Sequence, residues 1–182
     1  MLRLRYNEPL SRHTSFRIGG PAYCWVEPED PKGILEAIDF ISAENKKFSV
    51  IGNGTNLLVK DEGFYGVIIC IAKGFEKIEI ESPEIIKTGA GLSAAMLVKY
   101  SLDAGLGGCE FLTGIPGNVG GAIFMNAGVR NPEEPAKFEE IKNQRSLKSD
   151  SCGICFLRNN PREGGYCGLY LRQVEICLDK NY

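Results

Sequence analysis

The fold of this chain is decided by residues 107–128, GGCEFLTGIPGNVGGAIFMNAG, which contain seven glycines. We call this stretch the central glycine segment. Glycine inside a helix or strand costs roughly 0.5–1 kcal/mol relative to alanine, so this density predicts irregular backbone. Glycine turns with free N–H groups form concavities that bind phosphate. A tight turn between packed elements is the alternative, but the number of glycines around Ile115-Pro116-Gly117 favours a loop that contacts a ligand.

A second group of glycines follows an apolar strand predicted at residues 48–51. Gly52-Asn53-Gly54-Thr55-Asn56, here called the first glycine loop, has neither the third glycine nor the following helix of the dinucleotide fingerprint. The Thr55 hydroxyl and the Asn56 amide are suited to hydrogen-bonding a ligand. A hairpin turn explains the loop almost as well, and residues 57–59 are predicted to resume as a strand.

The remaining patterns predict an α+β chain. Asp30-Pro31 predicts the start of a helix over 31–45, and Ser93 and Gly105 predict the ends of a helix over 94–104. Apolar runs and alternation predict strands at 22–27, 48–51, 66–71, 77–80, 85–88 and 170–178. This order predicts two subdomains, residues 1–72 and 73–182. Residues 129–150 are polar and are predicted to form a loop.

Composition excludes several classes of protein. With 182 residues and a net charge of −2, the chain has no electrostatic case for nucleic acid or a membrane surface. It shows no apolar run near the ~20 residues of a membrane span and no signal-peptide pattern at its start, so we expect a cytoplasmic protein. Among the seven cysteines, only Cys152 and Cys155 have redox or metal spacing. A zinc site would need two more ligands, and the single histidine, His13, is distant, so no metal is expected.

Four segments in order carry a family resemblance. They are HTSFRIGG at 13–20, IGNGTNLLV at 51–59, GAG at 89–91, and EFLTGIPGNVGGA at 110–122 with MNAG at 125–128. Together they resemble the flavin-binding part of the UDP-N-acetylenolpyruvoylglucosamine reductase family, also called UDP-N-acetylmuramate dehydrogenases. The resemblance extends from about residue 9 to residue 128.

The resemblance implies a two-subdomain FAD-binding fold of the vanillyl-alcohol-oxidase type, with FAD between the subdomains. It implies that NADPH reduces the flavin, which passes hydride to the enolpyruvyl group of a UDP-sugar and yields UDP-N-acetylmuramate for peptidoglycan. The cofactor-binding residues that it implies are Arg17, Gly52, Asn53, Gly54, Thr55, Asn56, Leu57, Gly89, Gly91, Gly114, Ile115, Pro116, Gly117, Val119, Gly120, Gly121, Asn126 and Ala127.

Beyond residue 128 the resemblance is thinner. The family's Tyr-Arg-x-Ser motif has its best counterpart in FLRNN at 156–160, which makes Arg158 the implied catalytic arginine; a surface arginine is the alternative. A rival alignment sets residues 153–156 against a Gly-Ser-x-Phe motif and places Ile154 at the family's proton-donating serine. That serine belongs to a third, substrate-binding domain, which would begin near Tyr182. We therefore expect this domain to be absent or supplied by a partner.

Three functions compete at this point. The first is a flavin-dependent reductase of this family, either cut short or completed by a partner. The second is an FAD-binding module without reductase activity, and the third is the FAD subunit of a larger oxidoreductase such as a molybdenum hydroxylase. The run GIPGNVGGA at 114–122 favours the reductase family.

Overall fold

The computed structural model describes residues 2–83, 85–125 and 127, together with the backbone of residues 174–177. The predicted loop at 129–150, the Cys152 and Cys155 pair, and the candidate site residues Asn126 and Arg158 lie outside the described residues. No helix in these ranges is long and apolar enough to cross a membrane.

The first half of the chain forms a four-stranded sheet. Its strands are β1 (Leu4–Pro9), β2 (Pro21–Val26), β3 (Lys47–Ile51) and β4 (Phe64–Cys70), in the spatial order β1-β2-β4-β3. β1 pairs antiparallel with β2, whereas β4 pairs parallel with both β2 and β3. The parallel pairing requires a crossover connection between β2 and β3, and helix α1 (Pro31–Ala43) provides it.

Both faces of this sheet are covered. One face packs against α1, where Ile34, Ala37 and Ile41 meet alternate residues of β2 and β4. The other face buries Leu10, Ala22, Trp25, Ile51 and Ile68 beneath the segment that contains Leu57 and Val59. Helix α1 begins as predicted, because the Asp30 side chain accepts a hydrogen bond from the Gly33 N–H at 2.7 Å and proline follows Asp30.

The second half builds a smaller antiparallel sheet of β5 (Ile78–Ser82), β6 (Ile85–Thr88) and β7 (Val174–Cys177), with β6 in the middle. Helices α2 (Ala94–Asp103) and α3 (Val119–Phe124) and a 3₁₀ turn at Glu110–Leu112 complete it. Its core includes Ile86 from β6, Leu97 from α2 and Val119 from α3, each fully buried. The boundary predicted between residues 72 and 73 falls between the two sheets and stays a prediction.

Three sequence expectations differ from the structure. The strand predicted at residues 57–59 is wrong: this segment is extended and packs on the first sheet without joining its ladder. Strand β1 was not predicted, because charged residues hide its alternation. Helix α3 was not predicted either, since two of its six residues are glycines. The other predicted strands and both predicted helices are confirmed within a few residues; of the strand at 170–178, residues 174–177 are described.

An ion-pair network holds the loop that follows β1. Glu8 Oε1 lies 2.7 Å from His13 Nε2 and 3.4 Å from an Arg5 guanidinium nitrogen. The other terminal nitrogen of Arg5 donates to Glu27, and the His13 ring stacks on Trp25 with 3.7 Å between ring centroids. The backbone at residue 13 is therefore fixed to the first sheet.

The buried second core gives a first testable prediction. Leu97→Ala should lower the free energy of unfolding by about 2–5 kcal/mol, because the vacated volume is fully enclosed. Leu102, on the same helix, is 58% exposed, so Leu102→Ala is the matched control and should change stability by less than about 0.5 kcal/mol. Urea unfolding of both variants measures the difference. Equal losses would contradict the assigned burial.

The Glu8 network gives a second prediction, for pH dependence. The hydrogen bond from His13, with the charges of Arg5 and Arg12, lowers the pKa of the Glu8 carboxyl below 4.5. A depressed native pKa adds stability that is present above the unfolded pKa and is lost as the pH falls through the native pKa. In Glu8→Gln the free energy of unfolding should therefore fall less steeply as the pH drops below about 4.5.

Urea unfolding at a series of acidic pH values measures this slope. The control is Glu62→Gln, since Glu62 is exposed and has no ion pair within the described residues. A Glu8→Gln curve parallel to that of the unmodified protein would show that the network contributes nothing in acid.

Candidate functional site

The first glycine loop leaves the end of β3 with unused hydrogen-bond donors. Within the described residues, no acceptor is recorded for the backbone N–H groups of Gly54, Thr55 and Asn56. Gly54 has a φ of +63°, and a Cβ atom there would overlap the His13 carbonyl oxygen. The loop thus needs glycine at 54 to pass the anchored residue 13, and it presents a run of free N–H groups of the kind that binds anions.

The turn at residues 14–18 rests against this loop. Ser15 N–H donates to the Gly54 carbonyl at 3.1 Å, and Thr14 Oγ1 donates to the Ile18 carbonyl at 3.0 Å. Arg17, a predicted site residue, is exposed and has a φ of +55°. A positive φ is uncommon outside glycine, and such residues concentrate at ligand sites. The hydrogen bond from Ser15 to Gly54 joins the turn that contains Arg17 directly to the first glycine loop.

The central glycine segment meets the first glycine loop from the other side. Thr55 Oγ1 donates to the Pro116 carbonyl at 3.2 Å. Gly117 has a φ of +127°, and a Cβ atom there would lie 2.9 Å from Thr55 Oγ1. The two glycine-rich regions, separated by about 60 residues, thus form one continuous surface.

Asn118 is the residue that links the loops, and sequence reasoning missed it. Its side chain is 5% exposed, its Oδ1 accepts from the Asn53 N–H at 2.6 Å, and its Nδ2 donates to the Gly91 carbonyl at 2.6 Å. A single amide thereby joins the first glycine loop, the 89–91 turn and the central glycine segment. The available signal was an asparagine directly after Gly117, a residue type that favours the N-cap position of a helix.

Several predicted site glycines are required because two segments of this chain pass each other closely. Cβ atoms on Gly52, Gly89 and Gly91 would overlap, respectively, Asn118 Oδ1, the Phe75 carbonyl oxygen and the Ala72 carbonyl oxygen. A Cβ atom on Gly120 would lie 2.8 Å from Ala90 Cβ and 3.1 Å from the Ala90 carbonyl oxygen. These glycines bring the three segments together; whether they also touch a ligand stays a prediction.

Two glycines face open space instead. A Cβ atom on Gly114 or Gly121 would have nothing within 4 Å. Gly121 is exposed, and no acceptor for its N–H is recorded among the described residues. At these positions a ligand can approach the backbone without displacing protein atoms. Together with the free N–H groups of the first glycine loop, this surface suits a phosphate-bearing cofactor.

The remaining predicted site residues divide into two groups. Val119 is fully buried in the core of the second half of the chain. Ile115 and Ala127 pack against that core, so the side chains of these three residues stabilise the fold. Leu57 packs against the first sheet. Asn126 and Arg158 lie outside the described residues, so their roles stay predictions.

One thiol lies beside the first glycine loop. Cys70 Sγ is 3.9 Å from the Gly52 carbonyl oxygen, and burial raises the pKa of this thiol to about 11. It is therefore protonated at neutral pH and a poor nucleophile. The described cysteines, Cys24, Cys70 and Cys109, are all free. Within the described residues, no group of three or more potential metal ligands comes together.

Comparisons with known proteins agree with this geometry. A family model described as an FAD binding domain matches residues 22–139. The UDP-N-acetylenolpyruvoylglucosamine reductase of Bacillus subtilis is 43% identical over 175 residues, which cover 95% of this chain and 56% of that protein. The reductase of the same name from Desulforamulus reducens is 44% identical over 128 residues, covering 70% of this chain and 42% of that protein.

Solved structures show the same relationship. The UDP-N-acetylenolpyruvylglucosamine reductase of Thermus caldophilus matches with a TM-score of 0.59 and 35% identity over 71% of this chain and 44% of that chain. Alkyldihydroxyacetonephosphate synthase matches with a TM-score of 0.53 and 17% identity over 76% of this chain and 28% of that chain, a likeness of fold alone. The predicted α+β FAD-binding fold of the vanillyl-alcohol-oxidase type is confirmed.

The chain spans about half the length of the curated relatives that it matches. The residues that the family model matches include the first glycine loop, the 89–91 turn and the central glycine segment. The chain belongs to the FAD binding domain family and, within it, to the FAD-binding portion of the UDP-N-acetylenolpyruvoylglucosamine reductase family.

Proposed function

We propose that this chain is the FAD-binding part of a cytoplasmic reductase that uses NADPH to convert UDP-N-acetylglucosamine enolpyruvate to UDP-N-acetylmuramate for peptidoglycan synthesis. The observation that carries the proposal is the match of nearly the whole chain to the Bacillus subtilis reductase. The geometry of the glycine segments supports the cofactor, and the name of the relative supports the substrate. A cytoplasmic location follows from the proposed use of NADPH and a nucleotide sugar.

The chain's own residues would hold FAD through its diphosphate. FAD, when bound, supplies hydride transfer, and the protein supplies binding, orientation and charge. The free N–H groups of the first glycine loop and of Gly121 are donors for phosphate oxygens, and the open space at Gly114 lets a ligand approach the backbone. The exposed Arg17 guanidinium is a candidate for a charge-assisted bond to the same group.

We assign to Arg158 the stabilisation of negative charge on the substrate. A guanidinium close to the enolpyruvyl group would favour the enolate-like charge that develops as hydride arrives. Protonation of the adjacent carbon requires a general acid, which typically contributes 10²–10⁴-fold. The proposal places this acid in a substrate-binding domain, in the same polypeptide or in a partner.

Two neighbouring glycines test the cofactor site. Gly121→Val should leave the apoprotein folded but weaken FAD binding at least tenfold, because its side chain would fill the open space beside the loops. Gly120→Val is the matched control. It should instead destabilise the apoprotein, typically by 1–3 kcal/mol, because the new side chain meets Ala90.

Flavin fluorescence titration and thermal unfolding of the apoprotein separate these effects. FAD at 100 times its dissociation constant should stabilise the unmodified protein by about 2.7 kcal/mol. Unchanged FAD affinity in Gly121→Val would remove this glycine from the cofactor site. A protein that gains no stability from FAD would contradict the cofactor assignment itself.

The reductase assignment is tested by the two half-reactions. Under anaerobic stopped-flow conditions, NADPH should bleach the bound oxidised flavin, and UDP-N-acetylglucosamine enolpyruvate should restore its absorbance when the substrate domain is present. NADH and UDP-N-acetylglucosamine are the matched controls for the two reactants. Bound FAD that NADPH does not reduce would favour the alternative of an FAD-binding module without reductase activity.

A further inference from the structure

We propose that Asn118 is a positioning residue that holds the first glycine loop and the 89–91 turn at their FAD-binding separation before the cofactor arrives. The inference rests on the FAD site of the proposed function. It assigns to the Asn118 side chain the coupling between the two halves of that site.

The amide group of Asn118 uses both of its ends. Oδ1 accepts from the Asn53 N–H and Nδ2 donates to the Gly91 carbonyl, each at 2.6 Å. The asparagine side chain carries its acceptor oxygen and its donor nitrogen on one planar group. The bond to Gly91 is buried, whereas the bond to Asn53 is only part-buried, so loss of the amide opens the Asn53 N–H to water.

The backbone of Asn118 is also fixed from both sides. The Ala94 N–H donates to the Gly117 carbonyl at 2.9 Å, and the Val119 N–H donates to the Leu92 carbonyl at 2.8 Å. The amide therefore extends from a rigid base in the second half of the chain. Its reach to Asn53 fixes where the first glycine loop lies.

The side chain of Asn118 does not cap its own helix. It occupies the N-cap position of α3, but its side chain makes no capping hydrogen bond. An N-cap asparagine usually accepts from an N–H of the first helical turn. The side chain here satisfies two loops instead, which separates a role in the site from a role in starting the helix.

Gly52 is the steric complement of Asn118. A Cβ atom on Gly52 would overlap Asn118 Oδ1 and lie 3.0 Å from its Cγ and 3.4 Å from its Cβ. Shortening Asn118 to alanine would remove the first two of these contacts and leave only an ordinary one. The two positions are thus coupled: the amide requires glycine at 52, and the three atoms nearest to a Cβ atom there all belong to Asn118.

Preorganisation is the consequence for cofactor binding. A ligand that contacts two loops binds more weakly when it must also order them, because part of the binding free energy is used for that ordering. Because Asn118 already joins the loops in the apoprotein, the free energy of ordering them is part of folding and does not reduce FAD affinity. Removing the amide should therefore weaken FAD binding even where the apoprotein remains folded.

The test uses Asn118→Ala in the full chain. FAD affinity by fluorescence titration should fall at least tenfold, equal to about 1.4 kcal/mol. In the apoprotein, hydrogen exchange at the Asn53 amide should become faster. The matched control is Ser101→Ala, which removes another buried hydrogen bond, from Ser101 Oγ to the Val98 carbonyl, in the core helix α2. It should leave both readouts unchanged.

Two further variants keep the test decisive. Asn118→Asp retains an acceptor but sets a second oxygen against the Gly91 carbonyl, so FAD affinity should fall at least tenfold, as in Asn118→Ala. Gly52→Ala should abolish detectable FAD binding, whereas the double variant Gly52→Ala, Asn118→Ala should bind FAD as Asn118→Ala does. FAD affinity in Gly52→Ala equal to that of the unmodified protein would overturn the proposal.

Other results are also informative. Native FAD affinity and native Asn53 exchange in Asn118→Ala would show that the amide positions nothing. Losses of affinity equal to those of Ser101→Ala would reduce its role to general stability. If the unmodified protein binds no FAD, the proposed function fails, while Asn53 exchange in the apoprotein still decides whether the amide holds the loop.

Discussion

The structure depends on one buried amide. Asn118 connects the end of β3, the turn before α2 and the start of α3 through two hydrogen bonds of 2.6 Å. Each such bond contributes only about 0.5–1.5 kcal/mol net, but a buried amide left without partners costs about 1–3 kcal/mol. A variant that keeps the segments packed but removes one partner therefore loses more stability than the bond itself contributes.

The glycines around this amide have a steric function that is as important as any contact with a ligand. Gly52 makes room for the amide, Gly91 passes close to Ala72, and Gly120 lets α3 approach Ala90. The segments can therefore approach closely enough for backbone N–H and C=O groups to pair, as Gly120 N–H does with the Ala90 carbonyl at 2.9 Å. Among the described glycines of the central glycine segment, Gly114 and Gly121 leave space that protein atoms do not use.

Sequence reasoning succeeded where the signal is local. Ser93 caps α2 by accepting from the Met96 N–H, and Gly105 ends that helix with a φ of +69°. Both features can be read from neighbouring residues. The family resemblance also predicted one cofactor site for the two glycine-rich regions; the structure brings these regions into contact, and their binding of FAD stays a prediction.

The failures arise where a distant segment decides the outcome. Helix α3 forms despite its glycines because Leu92 and Ala90 accept from its first N–H groups. Residues 57–59 have the composition of a strand, but Leu57 and Val59 pack over a face of the first sheet instead of pairing at its edge. The role of Asn118 depends on Asn53 and Gly91, 65 and 27 residues away, which no local pattern reveals.

The separation of 65 residues between Asn53 and Asn118 also bears on how the protein assembles. The entropy lost on closing a loop grows with its length, as (3/2)RT ln n, and long-range contacts form slowly. During synthesis, the first sheet is complete in the nascent chain well before Asn118 is made, so the two loops cannot be joined at that stage. The contact between the two loops is accordingly made only after the second half of the chain has been synthesised.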